Sequence, residues 1–178
     1  MELRRLTIDD VGVVALIDRS EHVDVEYVVV DGHLGERPVT MADIPAWEPV
    51  GEGLYSHAAK VEFCRQRVAD GAALLAAYKG DELLGVAVVD PRFDGLLAWL
   101  AFLHVSRPHR RRGVASALWN EAVDLALAAG AGSLYVSAVP AGSAVGFYRH
   151  HGCRLADPVH PLLFAKEPDD IHLARPLP

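Results

Sequence analysis

The basic loop between Val105 and Ala115 carries the residue types best suited to binding an anion. Its sequence is Val-Ser-Arg-Pro-His-Arg-Arg-Arg-Gly-Val-Ala, and it lies between an apolar segment and a segment with helical periodicity. The first N–H groups of a helix have no partner inside the helix and carry the positive end of its dipole. Gly113 leaves room for a phosphate there, and arginines add charge-assisted hydrogen bonds. The pattern predicts a pyrophosphate site, although a solvated basic loop would have the same composition.

A second group of candidate residues is acidic and lies near the start of the chain. Asp18, Glu21, Asp24 and Glu26 follow one another closely, which favours a cationic partner. Glu21 and Glu26 are the predicted proton acceptors of a bound amine, and a solvated helix end is the alternative.

Three other features of the sequence leave alternatives open. His104 is the polar residue late in an apolar strand, where a hydrogen-bonded histidine on the far face of the sheet is favoured over a general base. Trp47 and Tyr55 either line an acceptor pocket or pack against the sheet. The nine histidines show no metal-ligand spacing, so no metal site is predicted.

The elements that must position these residues follow from hydrophobic periodicity and turn residues. The first half predicts a strand over 2–6, a helix capped by Thr7 or Asp9 that runs to about Arg19, a hairpin strand over 25–30, and a helix over 54–69. The second half predicts strands over 72–78, 82–90, 96–105, 134–139, 153–164 and 170–174, with helices over 113–129 and 143–151, the latter capped by Ser143. This order indicates a mixed sheet with helices packed on it.

Composition limits the function classes. The 178 residues suit one domain, and 51% apolar residues can form a sizeable core. The formal net charge of −7 argues against general nucleic-acid binding, and no apolar run is long enough to span a membrane. Two distant cysteines do not make a disulfide framework, so a reducing, cytoplasmic setting is expected.

Two motifs resemble those of the GNAT superfamily of N-acetyltransferases. Arg110-x-x-Gly113-x-Ala115 is similar to its motif A, and Phe147-Tyr148-x-x-x-Gly152 is similar to its motif B, with one predicted strand between them. The resemblance implies a mixed α/β fold with a mostly antiparallel seven-stranded sheet, split at the strands beside the motif A helix and covered by helices on both faces. It implies one domain over residues 1–178, with an acceptor-side segment over 1–70 and a cofactor-binding core over 72–175.

By that resemblance, acetyl-CoA lies in the split of the sheet. Its predicted contacts are the backbone of Leu103, His104 and Val105, the N–H groups from Arg111 through Arg112, Gly113, Val114 and Ala115 to Ser116, the side chain of Arg110, and, on the helix that carries the second motif, Ser143 and Tyr148. Tyr148 is the predicted general acid, and an N–H near Val105 polarises the thioester.

The implied reaction is direct attack of a primary amine, small and cationic, on acetyl-CoA. Some members carry a glutamate base in the strand before motif A, but the segment from Leu96 to Val105 contains no carboxylate. Motif B also lacks the asparagine and the final Gly-Phe of many members. A base from elsewhere, a water chain or an already neutral amine therefore remain as alternatives. A catalytically impaired acyl-CoA-binding sensor or assembly protein is the alternative function, and a homodimer stays open.

Overall fold

Strands dominate the molecule and define its organisation. The computed structural model describes all 178 residues. The strands are β1 (Glu2–Leu6), β2 (Glu26–Val30), β3 (His33–Arg37), β4 (Ala73–Lys79), β5 (Glu82–Asp94), β6 (Leu97–Val105), β7 (Ser133–Ala138), β8 (Arg154–Leu155) and β9 (Ile171–Pro176). The helices are α1 (His57–Ala69), α2 (Val114–Ala128), α3 (Gly142–His150) and α4 (Pro161–Lys166).

One seven-stranded sheet contains every strand except β2 and β3. Its order is β1-β4-β5-β6-β7-β9-β8, and all neighbours are antiparallel except the parallel pair β6 and β7. This confirms the predicted mixed, mostly antiparallel sheet. The parallel pair is joined through α2, as a crossover connection requires.

Both faces of the sheet are covered, which explains the nearly continuous apolar runs of its central strands. Leu75 and Ala87 belong to the core on the α2 side, together with Leu118 and Trp119 of α2. The residues next to these two in sequence belong to the core on the opposite face, and they are Leu74, Ala76, Val86 and Val88. This second core also includes residues of α1 and of the first helical segment. None of the helices has the length and apolar character needed to cross a membrane.

The first helical segment differs from its prediction. It is a 3-10 helix over Ile8–Leu16, and the chain is extended at Ile17, before the expected end at Arg19. Val11, Val14 and Ile17 are all buried, and their spacing of three residues matches the 3-10 period. Thr7 precedes it as predicted, with its N–H and hydroxyl both donating to the Asp10 carboxylate.

Three other boundaries also differ from prediction. The segment 153–164 contains only the two-residue strand β8, because proline cannot donate to a ladder and Pro161 begins α4 instead. The helix α1 starts after Ser56, whose hydroxyl accepts from the Ala59 N–H at 3.2 Å. Ser143 does not cap α3; it lies within its first turn, after the cap residue Ala141.

The predicted hairpin is present as β2 and β3, and it is fastened by Glu26. This side chain is 2% exposed, and its carboxylate accepts from the side chain of Arg37 and from the N–H groups of Thr40 and Met41. These bonds, led by the one from the Thr40 N–H, lower the pKa of Glu26 from 4.5 to about 2. Glu26 therefore holds the hairpin and the chain that leaves it, and the predicted catalytic role for it was wrong.

We expect Glu26→Gln to lower the unfolding temperature at neutral pH, because the folded state then loses an ionised acceptor of several hydrogen bonds. A carboxylate with a depressed pKa stabilises the fold above its unfolded value, here 4.5, and loses that contribution as the pH falls towards about 2. The difference from the wild type should therefore shrink over this interval. Thermal unfolding across the same range tests this, with the exposed Glu52→Gln as control. A difference independent of pH would contradict it.

Candidate active site

A cleft of about 320 Å³ opens where β6 and β7 separate. The two strands pair only from Leu97 with Ser133 to Trp99 with Tyr135, although β6 continues to Val105. The predicted site residues that line the cleft are Glu21, Leu103, His104, Val105, Arg110, Arg111, Gly113, Val114, Ala115, Ser116, Ser143 and Tyr148. Arg112 is exposed and does not line it, and Glu26 is occupied in the hairpin.

The edge of β6 that faces the gap offers unpaired backbone groups. The Ser106 N–H donates to Leu84 O, so Val105, one residue earlier, directs its backbone groups away from β5. The same alternation turns the N–H and C=O of Leu103 towards the gap. His104 pairs with Val86 in the β5 ladder, so the prediction that its backbone faces the cofactor was wrong.

The start of α2 supplies a second set of free donors. The first backbone bond of the helix runs from the Ala117 N–H to Gly113 O, and the N–H groups of residues 111–116 make no bond within the protein. Gly113 has φ +80° and Arg111 has φ +58°, left-handed values that turn the chain sharply into the helix. Consecutive N–H groups at a helix start form an anion site with room for a pyrophosphate.

Each of the three nitrogens of the Arg110 side chain donates a hydrogen bond to the protein. Its Nε donates to Val105 O at 3.0 Å, one Nη donates to the Glu21 carboxylate at 3.0 Å, and the other donates to Arg19 O at 2.8 Å. The side chain therefore joins the end of β6 to the residues that follow the first helical segment. These bonds give Arg110 a positioning role in the protein, and its predicted contact with the phosphates stays a prediction.

Tyr148 reaches the cleft from α3. The ring is 8% exposed and packs 5.5 Å from Trp119, while the hydroxyl makes no hydrogen bond to another protein group. Burial raises the pKa of Tyr148 above 10.0, so the phenol keeps its proton. Phe147, the preceding residue of α3, also lines the cleft, with its ring 5.2 Å from that of Tyr148.

His104 borders the cleft, and its ring lies on the face of the sheet opposite α2, beside Trp47 and Phe102. The ring lies 5.3 Å from Trp47 and makes no hydrogen bond. Burial, followed by the charges of Arg19, Arg110 and Lys60, lowers the pKa of His104 to about 3. The imidazole is therefore neutral.

Arg19 is the main functional candidate that the sequence analysis missed. It lines the cleft and lies 4.0 Å from the centroid of Trp47 and 4.9 Å from that of Tyr55, the two aromatic residues already considered for an acceptor pocket. Arg19 stands in an acidic run, and the sequence of that run does not indicate that the Arg19 side chain turns into the protein. The aromatic residues 28 and 36 positions later were the available signal.

Solved structures with the same fold are acetyltransferases. A nourseothricin acetyltransferase aligns with a TM-score of 0.68 and 20% identity, covering 99% of this chain and 98% of that one. The PaiA N-acetyltransferase from Thermoplasma acidophilum, in complex with coenzyme A, aligns with 0.62 and 13% identity over 99% and 98%. A GNAT family acetyltransferase from Elizabethkingia anophelis with acetyl-CoA bound gives 0.54 and 18%, over 65% and 82%. No curated protein matches in sequence.

Together with the family match, the split sheet and the free N–H groups at the start of α2 identify an acyltransferase that uses acetyl-CoA. A family model described as acetyltransferase (GNAT) family matches residues 40–153. The chain belongs to this family, which confirms the resemblance drawn from its two motifs.

We expect Gly113→Val to weaken coenzyme A binding by about tenfold or more, because valine at φ +80° displaces the N–H groups of the helix start. Gly130→Val is the matched control: Gly130 has the same φ at the other end of α2, outside the cleft. Calorimetric titration with coenzyme A measures both. Equal affinities for the two variants would place the pyrophosphate elsewhere.

Arg110→Ala should lower the free energy of unfolding by about 1.5–3 kcal/mol, the range for hydrogen bonds to a charged group. Its effect on coenzyme A affinity should be smaller than that of Gly113→Val, since the guanidinium is already occupied. Denaturant unfolding and the same titration test this. A stable variant that has lost coenzyme A binding would show that Arg110 contacts the phosphates directly.

Proposed function

We propose that the enzyme transfers the acetyl group of acetyl-CoA to a primary amine by direct attack in the cleft. The observation that carries this proposal is the free Tyr148 hydroxyl, buried with a raised pKa beside the open edge of β6. A proton donor without a structural partner is suited to a leaving group. The unpaired backbone of β6 and the start of α2 are suited to the two ends of the cosubstrate.

Each group in the cleft has a distinct task under this proposal. The N–H groups of residues 111–116 hold the pyrophosphate, and the backbone groups of Leu103 hold the pantetheine arm. The Val105 N–H faces the gap and polarises the carbonyl of the thioester. The Val105 C=O accepts a hydrogen bond from Arg110, which fixes the orientation of this part of the backbone. When bound, acetyl-CoA supplies the activated acetyl group.

Tyr148 handles the proton that the reaction moves. The amine nitrogen forms a bond to the carbonyl carbon, and the carbon–sulfur bond breaks. The Tyr148 hydroxyl donates its proton to the departing sulfur, and the proton lost by the nitrogen returns through water to the phenolate. Atoms balance, with an amide and a free thiol as products.

The charges around the cleft favour an amine that arrives neutral. The cations that lower the pKa of His104 act in the same way on an ammonium group at this end of the cleft. Glu21, the predicted proton acceptor that does line the cleft, is paired with Arg110 at 3.0 Å. A neutral amine needs no strong base, which is compatible with a β6 that has no carboxylate.

Tyr148→Phe should lower kcat by about 10²- to 10⁴-fold with little change in acetyl-CoA affinity, because only the proton donor is removed. Tyr78→Phe, on β4 and outside the cleft, is the control. Release of coenzyme A, measured with a panel of amines where chemistry limits turnover, tests this. A near-normal kcat in the Tyr148 variant would show that Tyr148 is not the general acid and that its ring only packs in the cleft.

A further inference from the structure

Arg19, which lines the cleft, and Lys60 beside it are two cations without a carboxylate partner. Arg19 is 9% exposed, and its guanidinium stacks on Trp47 and Tyr55 at 4.0 and 4.9 Å. The half-buried Lys60 ammonium lies over the same two rings at 5.1 and 5.4 Å. The rings face both cations but bring no compensating charge.

The protein does not neutralise this pair. Neither side chain takes part in an ion pair. The Arg19 Nε donates to Pro45 O at 2.9 Å, while its two Nη groups make no hydrogen bond. Glu167 and Asp170 act on Lys60 from beyond ion-pair distance, and no carboxylate acts in this way on Arg19.

Burial makes these charges costly. Desolvation lowers the pKa of Arg19, and it lowers that of Lys60 together with the neighbouring Arg19 charge. The neutral His104, also in contact with Trp47, completes a positive, partly apolar corner. Buried charges in proteins are normally paired, so an unpaired buried guanidinium that lines a cleft indicates an anionic ligand.

We propose that the acceptor carries a carboxylate beside its amine, as a small amino acid does, and that Arg19 binds this carboxylate with Lys60 close by. This inference rests on the proposed function, and it names the class of acceptor for the same cleft. The free Nη pair of a guanidinium matches the two oxygens of a carboxylate. The acceptor differs from the cationic one predicted from the acidic run.

The test compares acids with their decarboxylated amines. Phenylalanine is paired with phenethylamine, and lysine with cadaverine. Binding to the coenzyme A-saturated enzyme is measured by calorimetry, and acetyl transfer by thiol release. We expect at least one amino acid to bind about tenfold more tightly than its amine partner. Arg19→Leu should abolish that preference, and Arg19→Lys should retain part of it.

Controls separate this proposal from the proposed function. Arg65→Leu removes another arginine of the acceptor-side segment, on α1 and outside the cleft, and should leave both measurements unchanged. Coenzyme A affinity should be normal in all three variants. If the wild-type enzyme does not bind coenzyme A, the proposed function itself is refuted.

Three other outcomes would refute only the proposal that the acceptor carries a carboxylate. They are amines that bind as well as their acids, a preference that survives Arg19→Leu, and no binding of any of the four compounds at millimolar concentration. Each of these leaves coenzyme A binding in place.

Discussion

The separation of β6 from β7 after Trp99 is the constraint on which the rest of the site depends. A register shift in the pairing of β5 with β6, between Val88 and Val89, places an extra residue, Ala101, in β6 just beyond its last pair with β7. Such a bulge bends its strand and increases the local twist. The backbone groups that lose β7 as a partner need another one, and an extended ligand arm can provide it.

The bulge also decides which side chains reach each end of the cleft. Leu100 belongs to the core on the α2 side, whereas Phe102 belongs to the opposite core, so the alternation of β6 reverses between them. Because of this reversal, His104 lies beside Trp47 and Phe102. The same irregularity therefore frees the edge of β6 and directs the His104 ring towards Trp47 and Phe102.

Arg110 joins these two ends. Its three hydrogen bonds hold the last residue of β6, the backbone of Arg19 and the carboxylate of Glu21 in one arrangement. The guanidinium fixes the backbone from which the Arg19 side chain enters the cleft. A residue of the loop before α2 thus positions the chain around Arg19 and Glu21 on the other side of the cleft.

The local part of this arrangement could be predicted from the sequence, but the partners could not. Gly113, the run of small residues after it and the order of strands and helices are properties of neighbouring residues, and the helix start lies where they predict it. Arg110 bonds Glu21 across 89 positions, and Glu26 bonds a loop that begins 14 residues later. No periodicity connects such residues. Val11, Val14 and Ile17 did contain the 3-10 period, but that spacing also fits one face of an α-helix.

The contact between the hairpin and α3 has a consequence for how this sequence can diverge. Gly142 N–H donates to Val25 O, and a Cβ at position 142 would lie 2.8 Å from the Cβ of Val25. No side chain larger than hydrogen fits there unless the backbone of the hairpin withdraws. Glu26, the next residue of the hairpin, also forms a β-bridge with Ala141, the residue before α3, and α3 carries Tyr148. Substitutions in the hairpin must therefore preserve this one close approach, so related sequences should keep glycine here while the rest of the hairpin varies.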